Sequence, residues 1–329
     1  MSCECRPWEQ NAYGAEQDWN DDPEYAVDAT LGHNIPPIVV EHSPGYERVA
    51  VMTLRRGNHA EEADPEGLPR SRGIATRLIL LATAGSTNSE LAERLRREPA
   101  VAWPEFAVLA TLNQTAGRGR LGREWKAPPG TMLAVSVVLR PARHLTVVTS
   151  RTLGWLPLLA GVAMTEALRS LDVRATLKWP NDVMIGGKKV CGVLCEYDGQ
   201  QENVVVGAGV NLYFGSDDLP DDRATSLALE GVTASPDDVL CSFLTSLRAR
   251  YREFMAASGD SRASGLAQRL EEMCESVGQE VRVELPGAAT IEGRAVRIDG
   301  EGRIVVVEDA MEHHVAAGDI IHLRQTGST

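Results

Sequence analysis

Asn113–Trp125, NQTAGRGRLGREW, lies between two apolar runs, AVLAT (107–111) and MLAVSVVL (132–139). Within it Gly117, Gly119 and Gly122 alternate with Arg118, Arg120 and Arg123. Glycine permits close backbone approach and positive φ, while guanidinium groups are permanently charged, planar donors to phosphate and carboxylate oxygens. A solvated turn would account for one glycine pair but not for this alternation. The segment therefore reads as a loop that wraps an anion. It lacks the GK[ST] ending of a P-loop, and no clear helix follows its glycines as in a dinucleotide fingerprint, so a different phosphate chemistry is implied.

The runs around this loop set the fold class. ATRLILLAT (75–83), AVLAT, MLAVSVVL, ATLKW (175–179), KKVCGVLCEY (188–197) and NVVVGAGVNL (203–212) are predicted strands. Thr87 with Glu90 predicts a capping box opening a helix that carries Leu91 and Leu95 on one face. Further helices are predicted over Leu153–Leu171 and Pro236–Ala257, the latter with Leu240, Phe243, Leu244, Leu247, Tyr251 and Phe254 at helical spacing for core packing. After Cys274 the period changes to two, in QEVRVEL, TIEGRAVRI, RIVVVED and HHVAAGDIIHLR, joined by glycine turns. That pattern predicts a small all-β barrel of roughly fifty residues. His313 and His314, at a strand start with no carboxylate or cysteine at ligand spacing, read as solvated strand residues. The expected class is α+β: a mixed-sheet domain over 74–274, then a barrel over 275–329.

Residues 1–73 differ from the rest. Glu4–Asp28 is strongly acidic, with Trp8, Tyr13, Trp19 and Tyr25 scattered without periodicity, a composition that reads as poorly ordered or partner-dependent. Ile38–Leu54 could form a hairpin across Pro44 and Gly45, Arg55–Gly73 reads as a linker, and Met52 could serve as an alternative start. The 329 residues carry a formal net charge of −13, with no basic patch outside the arginine loop, which disfavours non-specific nucleic-acid binding. Hydrophobic residues make up 43% of the chain, enough for a sizeable core. Cys3, Cys5, Cys191, Cys195, Cys241 and Cys274 show no metal-site or disulfide-framework spacing. No leader pattern opens the chain, and the Leu153–Met164 run is too short to span a bilayer. A soluble, cytoplasmic protein is expected.

Three more clusters accompany the loop. Ser86, Thr87 and Asn88 stand at a predicted helix N-terminus, which favours anions, although capping alone would explain them. In LKWPNDVMIGGKKVCGVLCE (177–196), a strand ends at Trp179-Pro180-Asn181-Asp182, and a hairpin returns through Gly186 and Gly187 into Lys189. Lys189 enters an apolar strand, where an ammonium can be held against a carboxylate in a partly desolvated pocket. Gly207 and Gly209 interrupt a buried strand, marking close approach either of a ligand or of a packed helix.

In order and spacing these clusters, from Ser86 to Asn211 with the barrel following, resemble the biotin protein ligase family. The resemblance implies a biotin/lipoate-ligase-like catalytic domain and an SH3-like barrel. It further implies an ATP-dependent ligase that forms biotinyl-5′-AMP, with Mg²⁺, and passes the biotinyl group to one lysine of the biotin carboxyl carrier domain of an acyl-CoA carboxylase. It places Ser86, Thr87, Asn88, Gln114, Arg118, Gly119, Arg120 and Lys189 around biotin. Arg118, Arg120, Arg123, Trp125, Asn181, Lys189 and Asn211 fall around ATP and the adenylate, with Trp125 packing on adenine. Arg120, Lys189 and Asp182 are the implied catalytic residues, Asp182 also lying near a metal through phosphate or water. The base for the transfer step is left between Asp182 and solvent. Bifunctional members carry a winged helix-turn-helix, whereas residues 1–73 show no three-helix pattern, so a monofunctional ligase without nucleic-acid or membrane partners is expected. A lipoate ligase and a non-catalytic biotin-binding regulator are the rival readings, and an exposed sheet edge leaves a homodimer open.

Overall fold

Met132–Leu139 (β5) and Asn203–Asn211 (β9) pair in antiparallel register from Met132↔Asn211 to Leu139↔Val204 and form the middle of a seven-stranded sheet. Every residue of β5 is buried, as expected for a strand covered on both faces. A computed structural model describes residues 67–285 and 289–323 of the chain. The candidate hairpin at 38–54, Met52, Cys3 and Cys5 lie outside the described residues.

Along the described chain run α1 (Pro69–Arg72), β1 (Arg77–Leu81), α2 (Thr87–Arg97), β2 (Ala107–Thr111), the short β3 (Gly117–Arg118) and β4 (Glu124–Trp125), β5, and α3 (Ser150–Arg169). Then come β6 (Ala175–Lys178), β7 (Asp182–Ile185), β8 (Lys188–Asp198), β9, α4 (Pro236–Ala256) and α5 (Leu266–Met273). The sheet order is β1-β2-β5-β9-β8-β7-β6, with β1 and β2 parallel and the other neighbours antiparallel. On one face α3 and α4 pack through Leu159, Val162, Phe243 and Leu247, and on the other α2 packs through Leu91 and Leu95.

The caps explain where the helices begin. Ser235 and Asp238 form a reciprocal capping box at α4. At α2 the expected box of Thr87 with Glu90 is replaced by a cap one residue earlier. Ser86 Oγ accepts from the Ser89 amide, while Glu90 turns to Arg94 at 2.9 Å. Residues 67–73, read from the sequence as linker, include α1. It docks on the start of α4, where the Asp237 carboxylate accepts the Arg70 and Ser71 amides, each at 2.9 Å.

The C-terminal unit is a five-stranded antiparallel sheet in the order β13-β12-β11-β10-β14. Its strands are β10 (Glu280–Glu284), β11 (Thr290–Ile298), β12 (Ile304–Glu308), β13 (Met311–Val315) and β14 (Asp319–His322). The run expected as one strand from His313 thus divides at Gly318. His314 pairs with Asp299 at 2.8 Å and His313 with Glu308 at 3.4 Å, and no cluster of three potential metal ligands exists among the described residues. The barrel is bolted to the larger domain. Trp179 Nε1 donates to the Gly302 carbonyl and Trp155 Nε1 to that of Gly300, both at 3.0 Å. A Cβ at Gly154 of α3 would lie 2.8 Å from the Glu301 carbonyl oxygen, so only glycine lets the barrel turn approach that helix so closely. No described helix is long and apolar enough to cross a membrane.

Candidate active site

The arginine loop is a small hairpin. Gly117 pairs with Trp125 and Arg118 with Glu124, the Gly119 amide donates to the Arg123 carbonyl at 2.7 Å, and Gly122 turns the chain at φ +73°. A Cβ at Gly117 would meet the Trp125 carbonyl oxygen at 2.5 Å, so this glycine is demanded by the pairing. Arg118 is exposed. Arg120 Nη1 donates to Asn181 Oδ1 and to the Gly318 carbonyl, each at 3.3 Å. Burial lowers the Arg120 pKa, and the nearby Asp319 and Asp182 carboxylates oppose that effect.

Opposite the loop stands the N-terminus of α2. The Thr87 amide donates to Gln114 Oε1 at 3.0 Å, tying the helix to the base of the loop. Asn88 is committed to protein on every side. Its Nδ2 donates to the Leu194 carbonyl and to Glu196 Oε2, and its Oδ1 accepts from Ser136 Oγ at 2.6 Å. The glycine stripe receives these groups: a Cβ at Gly207 would lie 2.8 Å from Asn88 Cγ, and one at Gly209 would lie 3.1 Å from the Trp125 ring. Gly207 admits the start of the packed helix α2, and Gly209 admits the Trp125 indole.

The third wall is the 179–193 hairpin. Asn181 exchanges bonds with Val193, its Nδ2 donating to the Val193 carbonyl at 2.8 Å and its own carbonyl accepting the Val193 amide at 2.9 Å. A register shift between Val183 and Met184 displaces the ladder. Lys189 Nζ lies 2.6 Å from Asp182 Oδ1 and 5.3 Å from the Trp125 ring centroid. The Lys189 backbone is held by Arg223 and Thr225, bonded to its amide and carbonyl at 2.7 and 2.9 Å.

One cleft therefore gathers Ser86, Thr87, Asn88, Gln114, Arg118, Gly119, Arg120, Arg123, Trp125, Asn181, Asp182 and Lys189. Asn211 is not on its wall; it lies behind, its Nδ2 donating to the Thr225 carbonyl at 2.8 Å. The cleft also includes Gly192 and Asp319, which the sequence reading did not single out. Gly192 had a signal, a glycine inside KVCGVLC, whereas Asp319 had none. Cys191 is no nucleophile: burial pushes its thiol up to about 12. The site offers cations, amides and the carboxylates of Asp182, Asp319 and Glu124, with no thiol on its wall, which suits charge stabilisation on anions and not thiol chemistry.

Residues 86–211 match the Biotin/lipoate A/B protein ligase family, and residues 277–323 match the Biotin protein ligase C terminal domain. The biotin--[acetyl-CoA-carboxylase] ligase of Mycobacterium tuberculosis is 36% identical over 252 residues, covering 75% of this chain and 89% of that protein. The chain belongs to the biotin protein ligase family. The bifunctional ligase/repressor BirA of Bacillus subtilis is 29% identical, over 66% of each chain. Among solved structures, the biotin protein ligase from Aquifex aeolicus in complex with biotin and ATP aligns with a TM-score of 0.60 at 27% identity, covering 76% of this chain and 99% of that one. Both parts of this biotin protein ligase, the mixed-sheet domain and the C-terminal antiparallel unit, follow the family fold.

Proposed function

We infer that this enzyme activates biotin with ATP as biotinyl-5′-AMP and transfers the biotinyl group to a lysine of a biotin carboxyl carrier domain. In the first step a biotin carboxylate oxygen attacks the α-phosphorus, and the bond to the β-phosphate oxygen breaks, releasing pyrophosphate. In the second step a neutral lysine amine attacks the acyl carbonyl, and AMP leaves with the electron pair. The observation that carries the reading is the Lys189–Asp182 pair, at 2.6 Å, beneath a loop that aims Arg120 into the same cleft. Two anions must meet in the first step, and fixed cations lower that barrier by meeting charge as it develops.

Ser86, Thr87 and Gln114 form the biotin end in this reading, with Asn88 holding the wall and Gly119 leaving room for the ring. Arg118, Arg120, Arg123, Trp125 and Asn181 face the adenylate, and Asn211 supports the Lys189 strand from behind. Asp182 and substrate phosphates would hold Mg²⁺, an ion that keeps few protein ligands and would offset phosphate charge. That mode of binding suits a cleft in which Asp182 is the carboxylate paired with Lys189. Asp182 or solvent takes the proton in the transfer step.

The reading is of a cytoplasmic, monofunctional ligase. Free thiols at Cys191, Cys195 and Cys274 accord with a reducing compartment, and the sequence of residues 1–73 shows no three-helix pattern. A homodimer would use an open edge of the main sheet.

Biotin-dependent exchange of labelled pyrophosphate into ATP tests the reading, with lipoate in parallel. Exchange with biotin alone is expected. Exchange with lipoate alone would overturn it in favour of a lipoate ligase, and no exchange by folded, Mg²⁺-supplied protein would overturn it in favour of a binding protein.

A further inference from the structure

The barrel reaches the cleft at one rim. Asp319 opens β14, stands opposite Glu284 of β10, and lines the cleft. Its position is fixed from behind, since a Cβ on Gly318 would lie 2.9 Å from the Glu284 carbonyl oxygen. From this rim two groups reach the arginine loop, some 198 residues earlier in the chain. The Gly318 carbonyl accepts from Arg120 at 3.3 Å, and the Asp319 carboxylate forms an ion pair with Arg123.

Among the described side chains, the tip is held besides these contacts by the Arg120 bond to Asn181. At its base the loop is secured by the two residue pairs of β3 and β4, and a short ladder of that kind is marginal without tertiary support. Asp319 and Glu284 are like charges directly opposed across a ladder, an arrangement that destabilises a sheet unless a cation joins it. Arg123 supplies such a cation to Asp319, and Arg223 lies near Glu284. The contact of Arg123 with Asp319 therefore relieves the barrel rim and restrains the loop.

We propose that Asp319 is a positioning residue of the ligase: by holding Arg123 it keeps the arginine loop lowered over the acyl-adenylate and slows escape of that intermediate. This rests on the adenylation reading above and gives the C-terminal barrel a part in the first half-reaction. Asp319 acts through Arg123 and takes no share of the reacting charge.

The experiment compares the full-length enzyme with Asp319→Asn and Asp319→Glu. Labelled biotinyl-adenylate is formed on the enzyme and its release followed after a chase. An exposed ion pair shifts such an equilibrium by at most about five-fold, so release is expected to quicken about three- to five-fold in Asp319→Asn. Asp319→Glu should restore near-wild-type retention. In ligand-free protein, amide hydrogen exchange over residues 117–125 should be faster in Asp319→Asn, with β11 and β12 unaffected. Equal release and equal loop exchange would overturn the proposal, and so would faster exchange throughout the barrel, which would mark a folding defect. If wild-type enzyme forms no adenylate, the functional reading fails, and loop exchange alone then decides the latch: faster exchange in Asp319→Asn supports it and unchanged exchange overturns it.

Discussion

Lys189 and Asp182 meet across 2.6 Å on neighbouring strands, each side chain keeping roughly a third of its surface in solvent (31% and 27%). So wet a pair contributes little to stability, at most about 1 kcal/mol. Its effect is on place: the carboxylate holds the ammonium over the cleft floor, beside Gly192, where a Cβ would approach Lys189 Nζ to 3.1 Å.

Lys189→Ala should therefore separate catalysis from folding. Biotin-dependent pyrophosphate exchange is expected to fall by about 10²–10³-fold, the range for losing a donor to developing charge. The thermal midpoint should stay near that of wild type. A variant that kept its exchange rate would remove Lys189 from the chemistry.

Gly207→Ala should act through Asn88. The added methyl would press on Asn88, whose Cγ would be 2.8 Å away, and overpacking of this kind costs about 1–3 kcal/mol. In urea unfolding, the Gly207→Ala and Asn88→Ala pair should be less destabilising together than the sum of the two alone, because one change relieves the clash made by the other. Strict additivity would show that they do not share a contact.

At the other end of β5 from Met132, Arg140 is buried and donates to Asn203 and, at 2.9 Å, to the Trp103 carbonyl. Arg140→Met leaves both acceptors without that donor and should lower the unfolding free energy by about 1–3 kcal/mol. Exchange activity per folded molecule should be unchanged, since this end of the strand is away from the cleft. An activity loss exceeding the loss of folded protein would contradict that division.

The pH dependence should report on the joint between the two parts. His322 of β14 contacts Ser276 Oγ at 3.2 Å, and burial lowers its pKa from about 6.5, with Lys178 acting in the same sense and Glu275 opposing. The folded state thus favours the neutral ring, so the unfolded chain binds more protons just below pH 6.5. Stability is full above that value and is lost as the pH falls. Between pH 7 and pH 5 the melting temperature should drop more for wild type than for His322→Gln, which has no proton to take up. Parallel curves would argue against this linkage.

What could be read from the sequence was what clashed with its surroundings. Lysine in an apolar strand, glycines inside a buried one and arginines between glycines each violate local expectation, and all four clusters come together in one cleft. Local ambiguity hid the cap of α2, because Ser86 and Thr87 are both good caps and Glu90 mimics the partner of Thr87. Asn88 was legible as important but not in which direction it faces, since its partners Ser136 and Leu194 lie 48 and 106 residues away. Asp319 was invisible for the same reason. An acid after a glycine at a strand start is unremarkable until the barrel folds back on the loop.

Trp125 differs from the other described tryptophans in one further respect. Trp103, Trp155 and Trp179 are sealed, at 0%, 1% and 2% exposure, whereas the Trp125 indole lies in the cleft over Gly209 and Gly192, its Nε1 without an acceptor. Among the described tryptophans, Trp125 is therefore an optical probe of occupancy. A collisional quencher would find one of these four indoles and miss the others, and a ligand entering the cleft would shield the same chromophore without any label being attached.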